Sequence, residues 1–594
     1  MKPIRSENLT MDDNFVYEVK YDGFRTLLIW TKDSIQLMSK NKNDLSDKFP
    51  EIIDYCRQNQ HYLSDELPVI LDGELVVLNN DLQGDFTYLQ RRHRLRNKHM
   101  IEKESLSRPA TLMVFDIVSK QSKDVKTTAY LQRKQMVKSL LEKVPMANGR
   151  VRYVPFYEQL ATIRDLIFLH KGEGIIAKRK NSQYQQAKQH HDWFKLKNWR
   201  KIHGLLTSYN VSNDYFTVSV YDQKNVRSIG KCKHGLDQET KKTLKQLFMT
   251  EGEKIGNEYQ LPPAICAQIH TLDLHGDELR EPEFVQLLPT LTPDKCTFQQ
   301  LQIDLAMLPA SVDQTNLNKV FWEELQATKA DLLIYIRHIA LYMLPFLRDR
   351  ALTVIRCPDG VSGKSFFQKK LPTYAPDIFD VKHNHLGIIC RHLDALMWLA
   401  NHGAVEYHIP FQTIDNSYPR EIVFDLDPPH PQDFQKAIFA AQLMKQIFDE
   451  LHLTSFLKTS GNKGLQIHIP LPTKSLSYQD TAVFTKAIAE TLVQQYPHLF
   501  TIERLKKKRQ GRLYIDYVQH GEGKTIIAPY SPRMTQHASV ATPLYWDELQ
   551  EDLVPHQFTI QNVLERVQTH GCPFQDYFTA GQEQSLTKLL QMIQ

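Results

Sequence analysis

The chain has 594 residues, of which 42% are hydrophobic, and a formal net charge of +5, too long for one core and sized for about three to five domains of ~100–200 residues each. Its seven cysteines are scattered without a Cys-x-x-Cys pair, so neither a disulfide framework nor a cysteine zinc site is indicated. No apolar run approaches the ~18–20 residues needed to cross a bilayer and residues 1–10 lack a signal-peptide core, so a cytoplasmic location with no membrane partner is expected, and the small net charge permits nucleic acid without identifying it.

From Glu18 to Arg25 the chain reads Glu-Val-Lys-Tyr-Asp-Gly-Phe-Arg. Lys20 is the first candidate nucleophile: an amine does covalent work only where desolvation or neighbouring cations free its lone pair. Asp22 and Arg25 supply polarity, and Gly23 permits close backbone approach. Val16, Val19 and the run 26–30 read as flanking strands, which puts Lys20 at a strand end. By itself the motif fits a charged surface hairpin equally well.

Further pieces follow in order. Ser39-Lys40-Asn41 is a polar segment after a strand, placed to meet a ribose or phosphate. The apolar run 69–78 carries Asp72 and Glu74, and buried carboxylates need a partner or a metal. Phe115-Asp116 sets an aromatic face and an acid in a strand. Glu173 and Lys178 stand five residues apart, and Lys195 and Lys197 lie on one face of a strand that begins near Trp193.

In this order the pieces resemble the covalent nucleotidyltransferase superfamily of ATP-dependent DNA ligases and capping enzymes over residues 1–200. The resemblance implies an ATP-grasp-like adenylation domain using ATP and a divalent cation, Mg²⁺ or Mn²⁺. Lys20 matches the lysine that takes AMP, and Arg25 matches the arginine that assists nucleotide and nick. Glu74 matches the acid on ribose or metal, Phe115 the ring under adenine, and Glu173 a metal-binding carboxylate. Lys195 and Lys197 match the α-phosphate lysines, while Glu18 and Lys178 fall among the nucleotide-contact positions. Lys40 replaces a common arginine and loses its bidentate fork. The stretch 185–191 lacks the usual Gly-Arg.

Residues 201–298 turn to short alternating strands, 204–209, 215–221 and 226–229, and predict an OB-fold barrel. Leu279-Arg280-Glu-Pro282-Glu-Phe284 resembles the last ligase motif, whose arginine orients pyrophosphate, with Asp294-Lys295 as its tail. Residues 299–314 read as a linker.

Residues 315–594 carry different chemistry. Asp425 and Asp427, at i and i+2 on a strand, point to one side, and Asp516 lies in a second strand. Together they suit a two-metal nucleotidyl-transfer site. Asp-x-Asp alone fits the plain end of a strand before Pro428 as well. Ser460-Gly461-Asn-Lys463 offers a hydroxyl, amides and a cation without Walker A spacing. Residues 504–512 are densely basic.

This half resembles the archaeo-eukaryotic primase-like polymerase domain of the bacterial end-joining ligase D family. The resemblance implies metal binding by Asp425, Asp427 and Asp516 and nucleotide contacts from His408, Ser460, Lys463, Arg509 and Arg533. It implies a 5′-phosphate pocket at Asn316, Lys319 and Lys329 and template stacking on Phe366 and Phe367. Gln466 stands where the family carries a histidine, a role that His468 or His408 would have to take unless it is dispensable.

The whole is a multidomain α+β protein, with a ligase half followed by a polymerase half. The resemblance implies filling and sealing of DNA ends, gaps and nicks in non-homologous end joining, with nucleoside triphosphates, ribonucleotides favoured, and the Ku protein as partner. Capping or ligation of RNA, and a break-binding scaffold with one idle half, use the same residues. Activity on nicked DNA separates these readings.

Overall fold

The computed structural model describes residues 1–6, 13–145, 149–186, 189–379 and 387–593. The chain forms two compact units, Met1–Met307 and Leu308–Gln594.

The first unit starts from Phe15–Lys20, a strand whose first five residues are all buried. It lies in a five-stranded sheet between Gly174–Arg179 and Phe156–Tyr157, with Gln189–Lys197 and Lys2–Arg5 completing the order. The next strand, Phe24–Trp30, belongs to a different, seven-stranded sheet beside Val69–Asn80. Tyr21-Asp22-Gly23 therefore carries the chain from one sheet to the other. A side chain at 23 has no room, since a Cβ there would lie 2.1 Å from the Leu75 carbonyl oxygen, so the crossing requires glycine.

A six-stranded antiparallel sheet follows. Arg200–Asn210, Tyr215–Asp222 and Asn225–Cys232 contain the three strands read from the sequence, each longer than foreseen. Phe284 N–H donates to the His234 carbonyl at 2.8 Å and helps close the barrel. The long strand Glu258–Thr271 escaped sequence reading because Pro262 and Pro263 interrupt it. Both fall at a register shift between Gln260 and Ile265, where no ladder N–H is needed.

The linker expected at 299–314 is corrected at its start. Phe298–Ala306 is a helix capped by the Thr297 side chain, and Leu301 and Leu305 lie in the barrel core. Its apolar face ties it to the first unit.

In the second unit Glu421–Asp427 is central to a six-stranded sheet, flanked by Leu513–Asp516 and Leu465–Pro470, with Phe456–Thr459 next to the latter. A four-stranded sheet holds Phe366–Gln368, Thr353–Arg356, Ala404–Pro410 and Thr525–Ile527 in that order. The helix Lys329–Leu347 has the length and apolarity of a bilayer span, with mean hydropathy 1.4 over its best window, which corrects the expectation that no run comes close. Yet 67% of that window is buried inside the protein, and Thr328 and Asp331 form a capping box at its start. It is a core helix of this unit.

Arg350 and Glu421 form a buried bidentate pair at 2.6 and 2.9 Å, and Tyr577 adds an O–H to Glu421 at 3.2 Å. Glu421→Gln keeps the shape but leaves Arg350 an unpaired buried charge. It is expected to destabilise this unit by about 3–5 kcal/mol, measured by urea unfolding of the full chain. An unchanged midpoint contradicts this.

Candidate active sites

In the first unit, strand pairing sets Gly174 opposite Lys20 and Lys197 opposite Gly174. Lys20 Nζ donates to both Glu173 oxygens at 2.5 Å. Glu173 thus lies where it can accept the proton that the amine must give up before its lone pair meets a phosphorus. Arg25, paired in register with Glu74, grips Asp72 with Nη2 to Oδ2 at 2.6 Å, and Tyr184 O–H donates to the same carboxylate at 2.8 Å. Burial pushes the Glu74 carboxyl up to about 8, and the Glu173 charge adds to it. Two carboxylates that repel each other are a donor chemistry that suits a divalent cation. Lys195 is shifted down by burial and by Lys197 and Lys20, so three amines share one neighbourhood.

Glu18 is not free to meet a ligand in this state. It is buried and holds Lys134 at 2.5 Å and Lys178 at 2.6 Å, and Tyr130 donates to it. Lys178 Nζ also lies 4.5 Å from the Phe115 ring centre and 4.1 Å from that of Trp193. The Phe115 ring therefore borders the site among cations, with Arg25 5.5 Å away. Lys134 was not legible, because it comes from the helix Tyr130–Leu141, whose sequence carries no motif.

Arg280 reaches the first domain and pairs with Asp22 of the Lys20 motif. Its neighbour Glu281 pairs with Lys197. Asp294 and Lys295, by contrast, pair with each other at 3.7 Å and are largely exposed. Of the altered stretch 185–191, residues 187 and 188 lie outside the described residues.

In the second unit Asp425 is in register with Asp516 across neighbouring strands. Asp427 lies two residues on and pairs with Lys463 at 2.9 Å and Arg509 at 3.0 Å. Arg509 also stacks on Tyr514 at 3.8 Å. Burial pushes the Asp425 carboxyl up to about 6, against a hydrogen bond from Gln466, with Asp516 and Asp427 adding to the rise. Among the described residues no three carboxylate, histidine or cysteine groups form a closed metal cage. The three aspartates make an open row instead. That donor set fits a cation such as Mg²⁺, which is held by one or two carboxylates with substrate phosphates completing its shell.

The loop after Phe456–Thr459 is organised by Ser460, whose Oγ accepts from the Gly464 N–H at 3.1 Å. Gly461 has φ +68°, and a Cβ there would meet the Ala541 nitrogen at 2.7 Å. Arg533 lies against the same glycine. Glu406, buried and unassigned from sequence, joins His408 at 2.9 Å to Arg533 at 3.3 Å. His408 is thereby tied to a carboxylate rather than to the aspartate row. His468 is buried between Phe574 and Tyr577 with only a weak contact to the Tyr577 hydroxyl at 3.4 Å, and burial holds its pKa well below the usual range. Among the described residues His408 is tied to Glu406 and His468 to Tyr577, while the side chain that hydrogen-bonds Asp425 is Gln466 itself.

Lys329 Nζ donates to the Thr315 carbonyl at 2.6 Å, and Lys319 Nζ to that of Pro358 at 2.9 Å. Asn316, three residues before Lys319, sits at φ +52°. Phe366 and Phe367 are 44% and 72% exposed, large rings left in water on an edge strand.

Residues 2–197 match the family model described as ATP dependent DNA ligase domain, and residues 328–574 match LigD, primase-polymerase domain. The bifunctional non-homologous end joining protein LigD of Bacillus subtilis is 37% identical, over 100% of this chain and 99% of that protein. The multifunctional non-homologous end joining protein LigD of Pseudomonas aeruginosa is 24% identical, over 96% of this chain and 71% of that protein. Among solved structures, the polymerase domain from Mycobacterium tuberculosis ligase D in complex with DNA is 31% identical, covering 45% of this chain and 98% of that one, with a TM-score of 0.42. With an ATP-dependent DNA ligase domain ahead of a primase-polymerase domain, and that full-length likeness, the chain belongs to the LigD family.

Proposed function

We propose that this chain repairs double-strand breaks on the bacterial nucleoid, its second unit filling gaps with nucleoside triphosphates and its first unit sealing the remaining nick. The observation that carries the reading is the pairing of functional groups in each unit: Lys20 held by Glu173 in one, and Asp425 in register with Asp516 in the other. The Ku protein is the expected partner at the DNA end, and ribonucleotides the expected preference.

In sealing, Lys20 Nζ bonds to the α-phosphorus of ATP, the α–β phosphoanhydride breaks and pyrophosphate leaves. The amine's proton departs through Glu173. AMP then passes to the 5′-phosphate of the nick, and the 3′-hydroxyl displaces it. Lys195 and Lys197 neutralise the α-phosphate, Arg280 orients pyrophosphate, and Phe115 offers the ring under adenine. In filling, the primer 3′-hydroxyl bonds to the incoming α-phosphorus as pyrophosphate leaves. Ser460, Lys463, Arg509, Arg533 and His408 take the triphosphate. A divalent cation, Mg²⁺ or Mn²⁺, on Glu74 and Glu173 in one unit and on the three aspartates in the other would withdraw charge from the phosphate oxygens. Incubation with ATP labelled at the α-phosphate should leave AMP bound to the denatured chain and released by nicked DNA. A chain that takes no label contradicts the sealing half.

Asn316, Lys319 and Lys329 serve the 5′-phosphate beyond a gap, and Phe366 and Phe367 stack on template bases. Burial, with Lys319 nearby, lowers the Lys329 amine to about 8. Its charge is present below that value and lost as pH rises through it. The gain in affinity that a 5′-phosphate gives a gapped duplex should therefore shrink above about pH 8, although bound phosphate will move the midpoint upward. Binding of phosphorylated and unphosphorylated duplexes measured from pH 7 to 9.5 checks this, and a gain that stays constant contradicts it.

A further inference from the structure

Gln466 faces Asp425 on one neighbouring strand and Lys458 on the other, in register with both. Its Nε2 donates to Asp425 Oδ1 at 3.2 Å, and its Oε1 accepts from Lys458 Nζ. Gln466 and Lys458 are 3% and 0% exposed, so water does not compete for these groups. An amide side chain can turn over and exchange its oxygen for its nitrogen. Here only one orientation satisfies both neighbours. An ammonium carries donors only and takes the oxygen, and a carboxylate carries acceptors only and takes the N–H.

We propose that Gln466 is a positioning residue for nucleotide addition: locked by Lys458, it holds the Asp425 carboxylate by one oxygen and fixes the rotamer in which that group meets the divalent cation. This rests on the reading of the second unit as the nucleotide-adding half. The place demands a side chain that accepts on the Lys458 side and donates on the Asp425 side. A neutral imidazole, with one N–H and one bare nitrogen, meets the same demand. Glutamine thus stands where the family's histidine would, and the role stays on this strand position instead of moving to His468 or His408.

The test uses the full chain with Gln466→Met, Gln466→His, Lys458→Met and Asp425→Asn. Mn²⁺ binding is read directly from the electron paramagnetic resonance of the free ion. Primer extension is followed against Mn²⁺ concentration, with sealing of a plain nick as the control for the other unit. Asp425→Asn defines how much Mn²⁺ the second unit binds. Gln466→Met is expected to weaken that component about tenfold or more, as loss of a group one step behind a metal ligand does, and to raise the Mn²⁺ requirement in parallel. Gln466→His should return both close to wild type, which a merely structural role would not predict. Lys458→Met should move both in the same direction, and carries the test if Gln466→Met does not fold. Wild-type Mn²⁺ binding and requirement in Gln466→Met or Lys458→Met, beside an inactive Asp425→Asn, overturns the inference. Full extension by Asp425→Asn overturns the reading of the unit itself.

Discussion

Lys20→Ala is expected to abolish sealing of a nicked duplex while leaving gap filling at the wild-type rate. The sealing loss should be complete rather than graded, because covalent catalysis has no substitute when the nucleophile is gone. Lys195 and Lys197 lie nearby, but Lys197 is paired with Glu281 and Lys195 lies inside its strand rather than at its end. The chain fold should not suffer. Lys20 is the half-buried last residue of its strand, and its removal relieves no packing, though it leaves Glu173 without its cation. Glu173 is already pushed upward by burial, so losing Lys20 favours its neutral form and spares the site an unpaired charge. Supplying pre-adenylated nicked DNA is expected to restore joining in part, because only the first step needs the lysine. Wild-type sealing by Lys20→Ala contradicts the assignment.

The second large effect is expected from Asp425→Asn. This change keeps the volume but removes a charge from the open aspartate row, so cation binding falls. Extension should drop by more than the roughly 100-fold that loss of a group one step removed from a metal can cost. The same variant should seal a plain nick as well as wild type. Stability offers a second sign. Burial pushes Asp425 up to about 6, so its charge opposes folding at higher pH. Removing that charge should make the second unit more stable than wild type by an amount that grows as pH rises from 3.8, the ordinary value, to about 6 and stays constant above it. Activity and stability then move in opposite directions, a pattern expected where a site stores unfavourable charge for function. Loss of both together would mean that Asp425 merely holds the sheet.

Much of this was legible in the sequence, for a physical reason. Lys20, Asp22, Gly23 and Arg25 are neighbours in the chain because one short crossing between sheets delivers them all. Asp425 and Asp427 are legible because a strand turns alternate residues to one side. What escaped was the set of partners that only folding brings near. Glu406 joins His408 to Arg533 across more than a hundred residues. Lys134 enters the Glu18 network from a helix with no motif. The helix Phe298–Ala306 was missed because nothing in a local window says that Leu301 and Leu305 will complete a barrel. Gln466 looked like a lost histidine until its two neighbours showed that donor and acceptor mattered more than residue type.

One assay addresses the two-site reading as a whole. A duplex with a short gap, a labelled primer and a 5′-phosphate on the far side is incubated with ATP, nucleoside triphosphates and divalent cation. Wild type, Lys20→Ala and the double change Asp425→Ala with Asp427→Ala run side by side on one gel. Two independent sites predict full-length sealed product from wild type and a filled but open gap from Lys20→Ala. They predict an untouched gap from the double change, which still seals a plain nick. Equal loss of filling and sealing in both variants, or a wild type that binds the duplex and yields no product, would contradict it.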